Sequence, residues 1–125
     1  LHIEAHSFPT RRSSDLVERK SMYEKLKSMI ESRNAHYEKL NDDVHHLESL
    51  MNEQSNDLEI AKHRRWQFIH DYASFLSEFL WNHKTDLHAK DLSALDLVPY
   101  AVWRKMSQKS EMIVSLIEKI YNERL

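Results

Sequence analysis

Apolar residues recur at the first and fourth positions of a seven-residue repeat from Tyr23 to Phe79, with no change of register. Fourteen of the 17 repeat positions are apolar, although apolar residues make up only 41% of the chain. A spacing of 3.5 residues predicts helices wound around one another with a left-handed twist, because the apolar stripe then stays on one side of each helix. We therefore expect an all-α fold dominated by a coiled coil.

The repeat predicts an oligomerisation seam, because one helix cannot bury such a stripe by itself. The polar positions Arg33, Gln54 and Arg65 either select register and partner or are tolerated interruptions whose long side chains reach water. Charges beside the seam leave homodimer, heterodimer, parallel and antiparallel pairing open. The residues assigned to the seam are Tyr23, Leu26, Ile30, Tyr37, Leu40, Val44, Leu47, Met51, Leu58, Phe68, Tyr72, Phe75 and Phe79.

We favour one continuous coiled-coil helix over about 17–84, because the register holds across residues 52–57 and neither Gly nor Pro interrupts it. At 1.5 Å per residue such a helix would extend roughly 100 Å. The alternative is a helical hairpin that turns at 52–57, with Asn56 capping the second helix and Glu59 completing the capping box.

A second apolar stripe accompanies the seam only after residue 62, and each of its members follows a seam position by one residue. Its members are Trp66, Ile69, Ala73, Leu76 and Leu80. One residue corresponds to about 100° of rotation on a helix, so this part of the helix must contact two neighbours. The pattern breaks after Lys84 and resumes beyond Pro99, a residue that is tolerated in the first turn of a helix. The segment from Tyr100 to Arg124 is therefore predicted to be one amphipathic helix.

These patterns predict a stalk over 17–61 and a helical head over 62–125. In the head, a connector over 85–98 lets a C-terminal helix over 99–124 fold back beside the end of the stalk. Trp103 is expected to dock on the second stripe, and Met106 and Ile113 to continue that contact. The residues expected to pack in the head or to dock a partner are Trp66, Ile69, Leu76, Leu80, Trp103, Met106, Ile113 and Ile117.

The N-terminal segment has a different character from the rest of the chain. Residues 6–16 have the sequence His-Ser-Phe-Pro-Thr-Arg-Arg-Ser-Ser-Asp-Leu, which resembles the conceptual translation of a widely used sequencing adapter. We therefore expect residues 1–16 to be a non-native, disordered tail that adds nothing to folding, and the natural sequence to begin near Val17 without its original start. The alternative is an ordinary disordered N-terminal tail.

The chain contains no Gly and no Cys. The first absence excludes phosphate-binding glycine loops, dinucleotide-binding turns and tight hairpins, and the second excludes disulfides and thiolate metal sites. The longest apolar run covers residues 97–103, far fewer than the roughly 18 residues that cross a bilayer. We expect an intracellular protein, cytoplasmic or nuclear, with no membrane span.

The histidines do not have the spacing of a metal site. His45 and His46 point to different faces of a helix, whereas His63 and His70 lie seven residues apart on its solvent side. Glu59 and His63 are four residues apart and are best interpreted as surface residues. We therefore expect no metal, no cofactor and no enzymatic activity.

The most favoured function is that of a non-enzymatic coiled-coil interaction protein, a fragment of a scaffold or tether, or an obligately oligomeric complex subunit. A second hypothesis is a dimeric nucleic-acid-binding regulator, in which the basic cluster 62–66 holds phosphates and Trp66 stacks on a base. A structural role for the cluster is favoured, because Arg65 lies in the seam and the formal net charge is -2. A third hypothesis is a helical regulatory segment of an enzyme whose catalytic domain lies upstream.

Overall fold

The computed structural model describes residues 2–50 and 56–123, with side chains from residue 22 onward. All the elements in these residues are helical, which confirms the predicted all-α class. No helix among them is long and apolar enough to cross a membrane. The elements are α1 (His2–Ser49), α2 (Asn56–Asn82), a 3₁₀ helix (Asp91–Leu97), α3 (Tyr100–Lys109) and α4 (Glu111–Glu123).

Helices α1 and α2 form an antiparallel hairpin. Near its turn, the guanidinium of Arg65 donates a hydrogen bond from Nη1 to Oδ1 of Asn41, at 3.2 Å. Farther from the turn, the Tyr72 hydroxyl donates to Oδ1 of Asn34, at 2.8 Å. Contact positions therefore rise along α2 as they fall along α1, which is the order that an antiparallel pair requires.

The continuous helix predicted over 17–84 is wrong, because α1 and α2 are two separate antiparallel helices, as the hairpin alternative predicts. Residues 51–55 lie outside the described residues, and the capping box of Asn56 and Glu59 stays a prediction. Helix α1 ends at Ser49, whose hydroxyl donates to the backbone carbonyl of His46 at 2.6 Å, and α2 begins at Asn56. Each of the two helices directs its own first and fourth heptad positions toward the other. The heptad pattern is therefore satisfied within one chain. Pairing within one chain also avoids the entropy cost that two separate chains pay on association.

The hydrophobic core forms where residues 22–34 of α1 meet the second half of α2, the 3₁₀ helix, α3 and α4. Helix α2 is central, because Tyr72 lies on its α1 side while Leu76 and Leu80 belong to the second stripe. This arrangement confirms that the end of α2 contacts two neighbours. The buried core residues are Leu26, Ile30, Tyr72, Ala73, Leu76, Leu80, Leu87, Leu92, Ala94, Leu95, Val102, Met106, Ile113, Leu116, Ile117 and Ile120.

The segment predicted as a connector over 85–98 contributes to this core. Leu87 and Leu92 are fully buried, and much of the segment forms the 3₁₀ helix against α1. Asp91 is buried too, and its Oδ2 accepts a hydrogen bond from the backbone N–H of His88 at 2.9 Å. The buried carboxylate therefore has a partner, as a charge away from water requires.

The C-terminal segment folds back along α2, as predicted, but it is two helices instead of one. Ser110 separates α3 from α4 with an extended backbone (φ −151°, ψ 104°). Its Oγ accepts a hydrogen bond from the N–H of Ile113 at 3.2 Å, so Ser110 caps the first turn of α4. The predicted last residue, Arg124, lies outside the described residues.

The backbone of residues 2–16 is the first part of α1. The side chains of residues 2–21 lie outside the described residues. The prediction that the first sixteen residues add nothing to folding therefore stays a prediction. Residues 22–30 of α1, which were expected to belong to a separate stalk, contribute to the same core as the head.

Tyr72 provides a test of the hairpin through its ionisation. Burial raises the pKa of Tyr72 to about 12, while the charge of Arg33 acts in the opposite direction. An unfolded tyrosine ionises near pH 10. The Tyr72 contribution to the free energy of unfolding is thus complete below about pH 10 and is lost as the pH rises toward 12.

We expect Tyr72→Phe to lower the free energy of unfolding by about 0.5–1.5 kcal/mol at neutral pH. The variant should also show a smaller loss of stability between pH 10 and 12, as measured by urea unfolding. Tyr100→Phe is the control, because Tyr100 is 77% exposed and should leave the pH profile unchanged. If the free energy of unfolding of Tyr72→Phe changed with pH in parallel with that of the unmodified chain, the burial of the Tyr72 hydroxyl would be contradicted.

Candidate functional site

The predicted oligomerisation seam closes within a single chain. Leu26, Ile30 and Val44 of α1 are fully buried within the chain, and Tyr72 of α2 is 1% exposed. These residues could reach a partner only if the hairpin opened. Phe75 is exposed, Met51 lies outside the described residues, and the partly buried seam members are Tyr23, Tyr37, Leu40, Leu47, Leu58, Phe68 and Phe79.

The polar seam positions have partners inside the chain. The Arg33 guanidinium carbon lies 3.8 Å from the centroid of the Phe75 ring, within the range of a cation–π contact. Arg65 donates to Asn41 across the hairpin. Both arginines therefore stabilise the pairing of α1 with α2, and Gln54 lies outside the described residues.

The part of the hairpin beyond the core, residues 36–50 and 56–65, is called the arm here. Val44 and Ala61 are buried between its two helices but do not belong to the core. Ile60 is 48% exposed, and Leu50 near the turn is 58% exposed. Ile60 borders a groove of about 360 Å³ lined by Leu40, Asp43, His46, Leu47, Asp57, Ile60, Ala61 and Arg64. The arm thus has a partly apolar side with charged edges.

All the predicted head residues except Trp66 are buried or partly buried. Leu76, Leu80, Met106, Ile113 and Ile117 are buried in the core, and Ile69 and Trp103 are partly buried against it. Trp66 is 50% exposed and is not a core residue. The docking of Trp103 on the second stripe stays a prediction, and Met106, one turn farther along α3, is the fully buried residue of the two.

Trp66 lies in a cluster of aromatic and cationic side chains. The ring centroids of His63 and His70 lie 6.1 and 5.7 Å from that of Trp66, with interplanar angles of 22° and 21°. From α3, Lys105 Nζ lies 5.3 Å from the centroid of Trp66, and Lys109 Nζ lies 3.0 Å from Nε2 of His70. We call these five residues the Trp66 cluster.

A second open groove, of about 580 Å³, lies between the end of α2 and α4. Trp81 and Met112 line it and are 38% and 62% exposed. The Lys84 ammonium lies 3.6 Å from the centroid of the Trp81 ring. Charges of both signs surround this groove, since Glu111 and Lys119 also line it.

The basic cluster 62–66 does not form one continuous surface. Lys62 pairs with Glu59 at 4.0 Å, Arg65 bonds Asn41 in the hairpin, and Trp66 belongs to the cluster with α3. Its cations are therefore distributed over different sides of α2. In the described part of the chain, no three His, Asp or Glu side chains are grouped so that they could hold a metal ion.

Sequence analysis did not identify Lys105 and Lys109 as members of the Trp66 cluster. Their spacing of four residues places both on one face of a helix, which the sequence does show. Their target could not be inferred, because it depends on how α3 lies along α2. The hydrogen bonds of Asn34 and Asn41 were missed for the same reason, since their partners are distant in sequence.

No protein-family model, curated protein or solved structure matches this chain. Function has to be inferred from the surfaces of the described residues. These surfaces are the groove of the arm, the Trp66 cluster and the groove beside Trp81.

The packing of α3 on α2 can be tested with two methionines of opposite exposure. Met106 is fully buried, whereas Met112 is 62% exposed. We expect Met106→Ala to lower the free energy of unfolding by about 2–5 kcal/mol, because it leaves a cavity in the core. Met112→Ala should change it by less than about 0.5 kcal/mol. Equal losses in urea unfolding would mean that α3 does not pack on α2 as described.

Proposed function

We propose that this chain is a non-enzymatic interaction module that self-associates through its arm, as part of a scaffold or a larger complex. The single observation that carries the proposal is the groove of the arm, where apolar Leu40, Leu47 and Ile60 lie between charged side chains. An apolar surface with charged edges is typical of a surface that binds another protein.

The architecture supports association at the arm and not at the core. Around the core, α2 has α1 on one side and α3 on the other, so Tyr72, Ala73, Leu76 and Leu80 of its apolar stripes are buried. In the arm only two helices meet, and the outer side of the seam is left partly exposed at Leu40 and Leu47. A second pair of helices would cover that side by forming a four-helix bundle.

The charges of the groove favour a second copy of this chain as the partner. Asp57 and Arg64 both line it and lie seven residues apart on α2, which is two helical turns or roughly 10 Å. A two-fold axis near Ile60 would place Asp57 of each chain beside Arg64 of the other. Across such an axis Asp57 and Arg64 are complementary in charge, and Ile60 would meet Ile60 of the second copy.

The test is a charge exchange measured by sedimentation equilibrium. Asp57→Arg and Arg64→Asp should each weaken the dimer at least about 10-fold, or about 1.4 kcal/mol, because each creates like-charge contacts. The variant with both substitutions should recover most of the affinity, because the pairs are then restored in exchanged positions. A double variant as weak as the single variants would contradict the two-fold arrangement.

A matched pair of variants tests the apolar contact in the arm. Ile60→Glu should dissociate the dimer, whereas Met112→Glu, on α4, should leave the dissociation constant unchanged although Met112 is more exposed. Circular dichroism should show that both variants keep the helical content of the unmodified chain. A chain that stays monomeric at millimolar concentration, or equal effects of the two variants, would overturn the proposal.

A further inference from the structure

The rings of the Trp66 cluster form a row on one side of α2. His63 and His70 flank Trp66 by three and four residues, which places all three on one helical face. Each histidine ring stacks with the Trp66 ring at an interplanar angle of 22° or less, and half of the Trp66 side chain is exposed. The row therefore offers a partly apolar surface to solvent.

Helix α3 adds two positive charges beside this row. Lys105 lies over the Trp66 ring, and Lys109 contacts His70 and donates to the Ser74 hydroxyl at 2.9 Å. In the part of the chain that the structure describes, ion pairs join His45 to Glu48, Lys62 to Glu59 and His88 to Asp91, and no ion pair found there includes Lys105 or Lys109. Neither of these two lysines therefore has a carboxylate within 4.0 Å.

We propose that the Trp66 cluster binds an acidic peptide segment of a partner protein, independently of the arm. An apolar side chain of the segment packs against the exposed part of Trp66, and carboxylates on either side of it pair with Lys105 and Lys109. Tryptophan on a protein surface is a frequent source of binding energy, and opposite charge gives the contact its specificity.

The charge pattern favours an acidic peptide over a nucleic acid. A nucleic-acid strand needs a positively charged track that follows its backbone. Here the two ammonium groups lie one helical turn apart on α3, and Arg65 is engaged in the hairpin. A short segment with a few carboxylates matches the size of the cluster.

The experiment is a fluorescence anisotropy titration of the full chain with a labelled peptide that has a central phenylalanine flanked by aspartates. Trp66→Leu and the double substitution Lys105→Glu with Lys109→Glu should each weaken binding at least tenfold. Tyr100→Leu and Lys119→Glu are the matched controls, because both residues are exposed and lie outside the cluster. They should change the dissociation constant by less than twofold.

Two further probes separate the possible ligands. Replacing the central phenylalanine by alanine should weaken the binding of the peptide, and replacing the aspartates by lysines should abolish its binding. Single-stranded oligothymidylate of equal charge should bind more weakly than the aspartate peptide. Tighter binding of oligothymidylate, or an equal loss with Lys119→Glu, would overturn the proposal. Ile60→Glu should leave peptide binding intact, so failure of the arm dimer is distinguishable from failure here.

Discussion

One amide side chain, that of Asn34, joins three elements of the fold. Its Oδ1 accepts a hydrogen bond from the hydroxyl of Tyr72 on α2, and its Nδ2 donates a hydrogen bond to the backbone carbonyl of Leu97 at 2.7 Å. Because Asn34 belongs to α1, closing the hairpin also positions the end of the 3₁₀ helix, from which α3 begins after Pro99. The pairing of α1 with α2 is thus the contact on which the rest of the fold depends.

That pairing also determines which surfaces remain for function. Helix α2 directs its seam residues toward α1 and its second stripe toward α3, so most of its apolar side chains near the core are buried. The groove of the arm, the Trp66 cluster and the groove beside Trp81 remain at the surface. The arm has only two helices and an exposed Ile60, and the Trp66 cluster lies along the line where α2 and α3 meet. We infer that the arm and the Trp66 cluster serve different partners.

The sequence predicts the helical class, the seam residues and the return of the C-terminal segment to α2, because these follow from local periodicity. It could not decide whether the seam closes within a chain or between chains, since the heptad phase is the same in both cases. The break at Ser110 was missed because the apolar spacing continues through it, and only the backbone and the cap to Ile113 reveal it. Lys105 and Lys109 were missed because their positions result from packing between distant segments.

The closure of the seam within one chain is tested most directly by an intramolecular distance. The chain has no natural cysteine, so Glu38→Cys and Gln67→Cys can carry one nitroxide label each on exposed positions of α1 and α2. Packed helices have axes about 8–10 Å apart, so pulsed electron spin resonance should give a separation well below about 30 Å. This distance should persist when the labelled chain is diluted with excess unlabelled chain. A separation near 44 Å, roughly 29 residues at 1.5 Å each, or a short distance that vanishes on dilution, would contradict the hairpin.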